Sequence, residues 1–346
     1  MNFSKKRLDS MERCYAAGHV TIDGEVHALM ASEQVDGMCC AYSGPELSRR
    51  EVVWERAGGT MAMVEIPGSN GQFLGVQNFF PGFQSEQAKV VWAKRDGKAG
   101  WTVQNFLSLP FVHRFDILPV AGIHYFVAAT LCGSKKDRED WSDPGKIYAG
   151  ILPSSPGQKM ELTPILAGLT KNHGYWRGCR NGIPCGYFCA DSGIYRVSPP
   201  AAPGCGWDIK HLLNAEVSDA AVYDLNGDGE DELITIEPFH GSCIRIYGRT
   251  PEGYSPVYAY PGEHKFAHAL WAGKLRGRPA AIIGLRRMDA ELAMIRYYPD
   301  EGVYRATVIE SGMGPSNVDV IPGIDSDIIL CSNNLANEAA ALFVTD

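Results

Sequence analysis

Short, largely apolar runs extend along most of the chain, with turn-forming residues between them. Residues 267–275, AHALWAGKL, form an almost wholly apolar run of this length, which begins near His268 and ends just before Gly277. No long stretch repeats its apolar residues with the 3.6-residue period of a helix. The pattern therefore predicts many short β-strands joined by turns.

The strand pattern is repeated along the chain. Residues 268–298 align with residues 218–248, with Gly277 over Gly227 and the strand AIIGL over DELIT. Each unit has a strand, a turn, a strand, a loop and a third strand, and a fourth strand follows. Earlier units have their turns at Gly122 and Gly182. Seven units divide the 346 residues into segments of about 49, a usual length for a propeller blade.

These repeats predict an all-β fold, a seven-bladed β-propeller of four-stranded antiparallel blades formed by one domain, residues 1–346. The last unit ends after three strands, and residues 3–12, FSKKRLDSME, can supply the missing outer strand. Closure by an N-terminal strand also avoids an unpaired sheet edge. A pair of β-sandwiches is the competing fold, but it does not explain a sustained period near 49.

Composition narrows the classes of partner. The formal charge is −8 and no long Lys/Arg cluster occurs, so nucleic acid is not expected to bind. We find neither a secretory signal nor an apolar run long enough to span a membrane, which predicts a cytoplasmic protein without membrane association. Ten cysteines are then expected as reduced, mostly buried thiols.

Three units place a histidine nine residues before the turn glycine, and these residues are His113, His173 and His268. The first strand of a propeller blade is innermost, so equivalent positions on different blades converge on the central axis. Three neutral imidazoles directed at one point can bind a divalent transition metal. The alternatives are acid–base histidines without metal, or three separate structural histidines at strand ends.

The loops after the second strands are expected to surround the same channel mouth. They supply His240 and Glu237 as candidate catalytic residues, with Arg287 and Asn333 as candidate substrate-binding residues. Beside the histidines stand the candidate catalytic Tyr175 and three further substrate-binding candidates, Arg114, Lys171 and Trp176. Cationic groups suit a substrate carboxylate, and aromatic rings can stack on a sugar.

A separate acidic loop, DLNGDGEDE, follows the first strand of one unit. Its oxygen-bearing side chains are Asp224, Asn226, Asp228, Asp231 and Glu232. Calcium prefers several oxygen ligands around one loop, so the loop is predicted to bind a structural Ca²⁺. The alternative is an acidic turn without a metal. The alignment places this loop at the face opposite the histidines.

The segment SDAAVYDLNGDGEDELITIEPFHG, residues 218–241, resembles the FG-GAP/VCBS class of β-propellers. The channel histidines are similar to those of propeller sugar lyases and dehydratases, including ulvan lyase, rhamnose-glucuronate lyase and aldos-2-ulose dehydratase. The resemblance implies β-elimination beside a carboxylate or ketone. It also implies that His113, His173 and His268 are metal ligands or bases, that Tyr175 or His240 donates a proton, and that Arg287 binds the carboxylate.

The sequence therefore predicts a metal-assisted carbohydrate lyase or dehydratase that acts on a small saccharide containing a uronate or keto sugar. Two alternatives stay open. One is a noncatalytic propeller that binds a glycan or a protein, and the other is a metal-dependent hydrolase or epimerase on the same scaffold.

Overall fold

The computed structural model describes residues 1–80 and 85–346. Their strands form seven sheets, each of four antiparallel strands. Six sheets contain four consecutive strands, and the seventh combines the last three strands with the first strand of the chain. The predicted all-β fold, a propeller of seven four-stranded blades, is confirmed.

The strand bounds follow the predicted repeat. The chain begins with β1 (Asn2–Ser10). Blade one has β2 (Cys14–Ile22), β3 (Glu25–Ser32), β4 (Cys39–Ser43) and β5 (Arg49–Trp54). Blade two has β6 (Met63–Glu65), β7 (Gln72–Gln77), β8 (Lys89–Asp96) and β9 (Gly100–Ser108). Blade three has β10 (Val112–Val120), β11 (Ile123–Thr130), β12 (Gly145–Ile151) and β13 (Thr163–Leu169).

The second half of the ring continues in the same order. Blade four has β14 (Gly174–Arg180), β15 (Ile183–Ala190), β16 (Gly193–Ser198) and β17 (Asp208–Leu213). Blade five has β18 (Asp219–Tyr223), β19 (Glu232–Glu237), β20 (Cys243–Thr250) and β21 (Gly253–Ala259). Blade six has β22 (Ala267–Leu275), β23 (Arg278–Leu285), β24 (Leu292–Tyr298) and β25 (Val303–Glu310). Blade seven has β26 (Pro315–Ile321), β27 (Asp327–Asn333) and β28 (Glu338–Thr345), and 3₁₀ turns lie at Pro45–Leu47, Ser85–Gln87 and Gly97–Ala99.

The N-terminal strand closes the ring, as the sequence predicts. β1 pairs antiparallel with β28, from Asn2 opposite Thr345 to Ser10 opposite Glu338. The Lys5 ammonium lies 2.6 Å from the Glu338 carboxylate within this blade and 2.7 Å from that of Glu310 in blade six. Closure therefore satisfies the edge of β28 and also ties the last blade to its neighbour.

Burial decreases from the inner strands of each blade to the outer one. The second strands β11 and β23 each have six consecutive buried residues at their C-terminal ends, whereas β21 and β25 have none. The second strand is apolar on both faces because the sheets of neighbouring blades cover it. Each large apolar side chain buried in this way contributes about 1.5–3 kcal/mol to the free energy of folding.

The turns between the first and second strands share one geometry in four blades. Both central residues have positive φ, as in the type I′ turns that match the twist of a β-hairpin. The pairs are Asp23-Gly24, Ala121-Gly122, Asn181-Gly182 and Arg276-Gly277. A two-residue turn fixes the register of the hairpin, so a constant count back from the glycine reaches the same end of each blade.

Candidate functional site

β-bulges at the starts of three inner strands direct side chains toward the channel. Tyr15, His113 and His268 are each the extra residue where the register between the first two strands shifts. A bulge bends its strand and changes the direction of the side chain it carries. The bulges belong to blades one, three and six.

Five aromatic side chains converge at this end of the channel. The Tyr15 hydroxyl lies 3.3 Å from Nε2 of His113 and 3.3 Å from Nε2 of His268. Nε2 of His240 lies 3.3 Å from Nε2 of His173. The ring of His173 is also 4.3 Å from that of His113 and 5.2 Å from that of His268, measured between centroids. The structure therefore brings the three histidines predicted as metal ligands together with His240, which was predicted as catalytic, and adds Tyr15.

Backbone carbonyls set the tautomers of three imidazoles. Nδ1 of His113 lies 3.0 Å from the carbonyl oxygen of His173, and Nδ1 of His173 lies 3.2 Å from that of Ser218. Nδ1 of His268 lies 2.6 Å from the carbonyl oxygen of Ser316. A carbonyl only accepts, so each Nδ1 carries the hydrogen and donates it, and each Nε2 presents a lone pair. Such outer contacts also orient histidines that bind metals.

The imidazoles are neutral at physiological pH. His113, His173 and His268 are 2–3% exposed, and this burial lowers their pKa values well below 6.5. Burial, with the Arg286 charge as the next cause, lowers the pKa of His240 to about 3. Neutral nitrogen donors are the form that binds a transition metal.

His173, His240 and His268 form a group that could hold a metal ion, and in this group His240, predicted as catalytic, takes the place predicted for His113. Their nearest ligand nitrogens all lie within 4.8 Å of one another. Zinc–nitrogen bonds of about 2.0–2.1 Å place two tetrahedral ligands about 3.3 Å apart. The His173–His240 separation of 3.3 Å already matches that spacing, whereas the widest separation, up to 4.8 Å, would have to shorten by about 1.5 Å to reach it.

A cavity of about 1100 Å³ lies over the imidazoles. Aromatic side chains form much of its wall, and charged side chains of both signs surround them. The aromatic residues are Phe79, Phe80, Trp141, Phe239 and Phe266, and the charged residues are Arg13, Glu33, Arg138, Glu139, Lys171, Glu216, Arg286 and Arg287. A cavity of this size and composition suits a polar ligand with apolar ring faces.

Ion pairs hold several of these charges in place. The Glu33 carboxylate accepts hydrogen bonds from Arg13 at 2.8 Å, from Arg286 at 3.1 Å and from Asn334 at 3.0 Å. Lys171 pairs with Glu216 at 2.6 Å. The Arg286 guanidinium lies 5.0 Å from the centre of the Phe266 ring, within the range of a cation–π contact. Arg286 is therefore fixed over the site, while Arg287 is exposed at the rim.

The structure brings only part of the predicted site together. His240, Lys171 and Arg287 line the cavity with the three predicted histidines. Arg114 lies next to Tyr15, where its guanidinium donates to the Met61 carbonyl at 2.7 Å and to the Asn317 side chain at 3.1 Å.

Four candidates have other partners and do not line this cavity. The Tyr175 hydroxyl donates to Asp116 at 2.5 Å, and the Trp176 indole donates to the Val222 carbonyl at 3.1 Å. Glu237 pairs with Arg245 and accepts a hydrogen bond from Tyr247 at 2.9 Å. The Asn333 amide donates to the Glu338 carboxylate at 3.0 Å. Each side chain is thus engaged within its own blade or with an adjacent inner strand.

Three residues of the site were not predicted from the sequence, namely Tyr15, Glu33 and Arg286. Tyr15 stands nine residues before Gly24, so the count that identified the histidines also reaches it. A phenol is a less common metal ligand than an imidazole, so Tyr15 was not predicted as a site residue from its residue type. Glu33 and Arg286 belong to different blades, and no local pattern predicts that they pair.

The acidic loop lies between β18 and β19, at the face opposite the histidines. The Asp224 carboxylate accepts the Gly227 N–H at 2.7 Å and the Gly229 N–H at 3.0 Å. Asp228 accepts the Glu230 N–H at 2.8 Å. Within residues 1–80 and 85–346, the metal-capable group is the histidine set and not this loop. Calcium binding stays a prediction.

Comparison with known proteins identifies the fold. No family model and no curated protein sequence matches the chain. A proposed oxidoreductase (glucose dehydrogenase) from Thermus thermophilus has 16% identity and a TM-score of 0.52, with 99% of this chain and 100% of that chain covered. BBS1N, solved in complex with ARL6DN, has 11% identity and a TM-score of 0.59, with 98% of this chain and 95% of that chain covered. At these identities the similarity concerns the fold alone. Among the described residues, no helix is long and apolar enough to cross a bilayer.

Proposed function

We propose that this protein is a metal-dependent carbohydrate lyase or dehydratase that acts in the cytoplasm. His173, His240 and His268 would bind a divalent transition metal, and the substrate would be a small saccharide with a uronate or keto sugar. The observation that carries the proposal is the convergence of these neutral imidazoles with Tyr15 and His113 beneath one cavity lined by aromatic and charged side chains. The resemblance to propeller sugar lyases and dehydratases supports the same reaction class.

The metal would stabilise the negative charge that develops when a proton is removed beside a carboxylate or ketone. Tyr15 and His113 would move that proton. The Tyr15 hydroxyl faces the lone pair of His113 Nε2, so this nitrogen can take the hydroxyl proton as the phenol oxygen takes the substrate proton. The carbon–oxygen bond to the leaving group then breaks, and the proton held by the pair passes to the leaving oxygen.

Arg286 and Arg287 would bind the substrate carboxylate. Arg286 is held by Glu33 and Asn334, and Arg287 is exposed at the cavity rim. Arginine suits this role because its planar donors match the two oxygens of a carboxylate. Phe239 and Phe266 would pack against the sugar ring.

A structural calcium would bind the acidic loop between β18 and β19. Binding would require Asp224 and Asp228 to exchange their backbone hydrogen bonds for the ion. The ion would stiffen the hairpin without taking part in catalysis, since the loop lies at the opposite face.

Sugar oxidation is a second candidate. The donor set at the site is imidazole with a neighbouring phenol, which binds copper or iron as well as zinc. The propeller from Thermus thermophilus, described as an oxidoreductase, lends support only through a shared fold.

The test is an activity screen on uronate-containing disaccharides and keto sugars with protein stripped of metal and then reloaded. We expect ultraviolet absorbance from a new unsaturated sugar only with reloaded protein and without an electron acceptor. Reduction of an added acceptor without that absorbance would establish oxidation instead. Saccharide binding without any product would support a noncatalytic propeller.

A further inference from the structure

A smaller cavity, of about 420 Å³, lies between blades five and six. Tyr258 of β21, Tyr297 of β24 and Tyr304 of β25 line it together with Asn226 and Glu232. The β18–β19 loop and the β24–β25 turn flank it, so it lies at the face opposite the histidines. We refer to these five residues as the tyrosine cleft.

The three tyrosine rings form angled walls. The Tyr304 ring is tilted 56° from Tyr297, with 5.0 Å between centroids, and 50° from Tyr258, with 5.8 Å between centroids. Rings tilted in this way do not stack flat on one another. Angled aromatic faces around one space are the arrangement that holds methylated ammonium groups in proteins.

A buried carboxylate supplies the charge of the cleft. Glu232 is 2% exposed, and its Oε2 accepts the Leu225 N–H at 2.7 Å. Tyr304 lines the cleft beside this carboxylate. No lysine or arginine forms an ion pair with Glu232 in the described parts of the chain, so its charge lacks a cationic partner. A buried charge without a partner is costly, and a bound cation would compensate it.

We propose that the tyrosine cleft binds a small organic cation with a methylated ammonium group. The ring faces would attract the positive charge, and Glu232 would neutralise it. An anion would be repelled by Glu232 and by the neighbouring acidic loop. A neutral sugar would leave the Glu232 charge unpaired. This proposal is independent of the proposed enzymatic function, because the two cavities lie at opposite faces. Asn226 and Glu232 also belong to the predicted calcium loop, so the titrations are done in EDTA, which keeps calcium away from Glu232.

The test compares choline with 3,3-dimethylbutan-1-ol, its neutral analogue of nearly the same shape, by isothermal titration calorimetry on the full chain. We expect choline to bind at least about 10-fold more tightly than the neutral analogue. Equal affinities, or no binding of choline, would overturn the proposal. Glucose is titrated as a third ligand, and preferential binding of glucose would identify a sugar site and also overturn it.

Variants locate the binding. Glu232→Gln keeps an oxygen acceptor for the Leu225 N–H but removes the charge, and Tyr297→Ala removes one wall. Each is expected to weaken choline binding at least about 10-fold. Tyr254→Ala is the matched control, because Tyr254 lies on the same strand as Tyr258 and contacts Arg249 instead of lining the cleft. Wild-type affinity in both cleft variants, or an equal loss in the control, contradicts the assignment.

Discussion

The Tyr15 hydroxyl lies between two acceptor nitrogens, those of His113 and His268, at 3.3 Å from each. It can donate its single hydrogen to one of them at a time. Burial raises the pKa of Tyr15, while the charges of Arg114 and Arg286 act in the opposite direction. If His268 binds metal, His113 is left as the acceptor, and Tyr15 is then the residue that connects the metal group to an acid–base pair.

Replacing Tyr15 with phenylalanine tests this role. We expect Tyr15→Phe to lower kcat/KM of the proposed elimination by about 10²–10⁴-fold, because general acid–base catalysis contributes on that order. Metal content should not change, since the three imidazoles of the metal group are intact. Tyr195→Phe is the control, because the Tyr195 hydroxyl hydrogen-bonds Ser192 and does not line the cavity. An undiminished rate in Tyr15→Phe would remove Tyr15 from the mechanism.

At the scale of the strand, a residue with positive φ lies just before each of the four inner-strand side chains that converge on the channel. The residue two positions before Tyr15, His113, His173 and His268 has positive φ in every case. These residues are Arg13, Phe111, Lys171 and Phe266, with φ between 45° and 61°. Left-handed backbone costs a non-glycine residue about 1–2 kcal/mol. The strand ends therefore retain a strained geometry that serves to direct side chains, as is common at functional sites.

The sequence predicted the histidines because the two-residue turns fix how far each strand extends from its glycine. The same reasoning failed for Tyr175 and Glu237. Tyr175 stands two residues after His173, but its hydroxyl reaches Asp116 of the neighbouring inner strand. Glu237 ends β19 and bonds within its own sheet, whereas His240, three residues later, reaches the site. The positions of these side chains depend on loop conformation and on contacts between blades. Neither can be predicted from the periodicity of the strands.

An ion pair between the inner strands of the first and last blades predicts a pH effect. His19 of β2 lies 2.6 Å from Asp319 of β26. Burial alone would lower the pKa of His19, but the charge and hydrogen bond of Asp319, with Glu65 nearby, raise it above 6.5. A raised folded-state pKa stabilises the fold fully below pH 6.5, and this stabilisation is lost as the pH rises through the folded-state value.

We therefore expect His19→Gln to lower the free energy of unfolding by about 0.5–1 kcal/mol at pH 6 and by much less at pH 9. The small value allows for solvent screening, since the His19 side chain is 34% exposed. Urea denaturation at both pH values measures it. His211→Gln is the control, because the exposed His211 contacts a backbone carbonyl and no carboxylate. An equal loss at pH 6 and pH 9 would show that the ion pair does not matter.

At the scale of the whole molecule, closure of the ring brings the residues of the site together. Tyr15 and His268 are 253 positions apart in the chain, yet their polar atoms lie 3.3 Å apart. The repeat of about 49 residues was sufficient to predict the blades and their closure. It could not predict Arg286 beside Glu33, because that contact depends on how separate blades pack around the axis.

The central claim is that imidazoles from different blades hold one metal ion, and metal content after reconstitution tests it most directly. Purified wild-type protein, His268→Ala and the control His211→Ala are stripped with chelator, reloaded with zinc, desalted and analysed for metal. We predict about one ion per chain in the wild type and in His211→Ala, and a loss of at least about 10-fold in occupancy in His268→Ala. Wild-type occupancy in His268→Ala, or no retained metal in the wild type, would contradict the account.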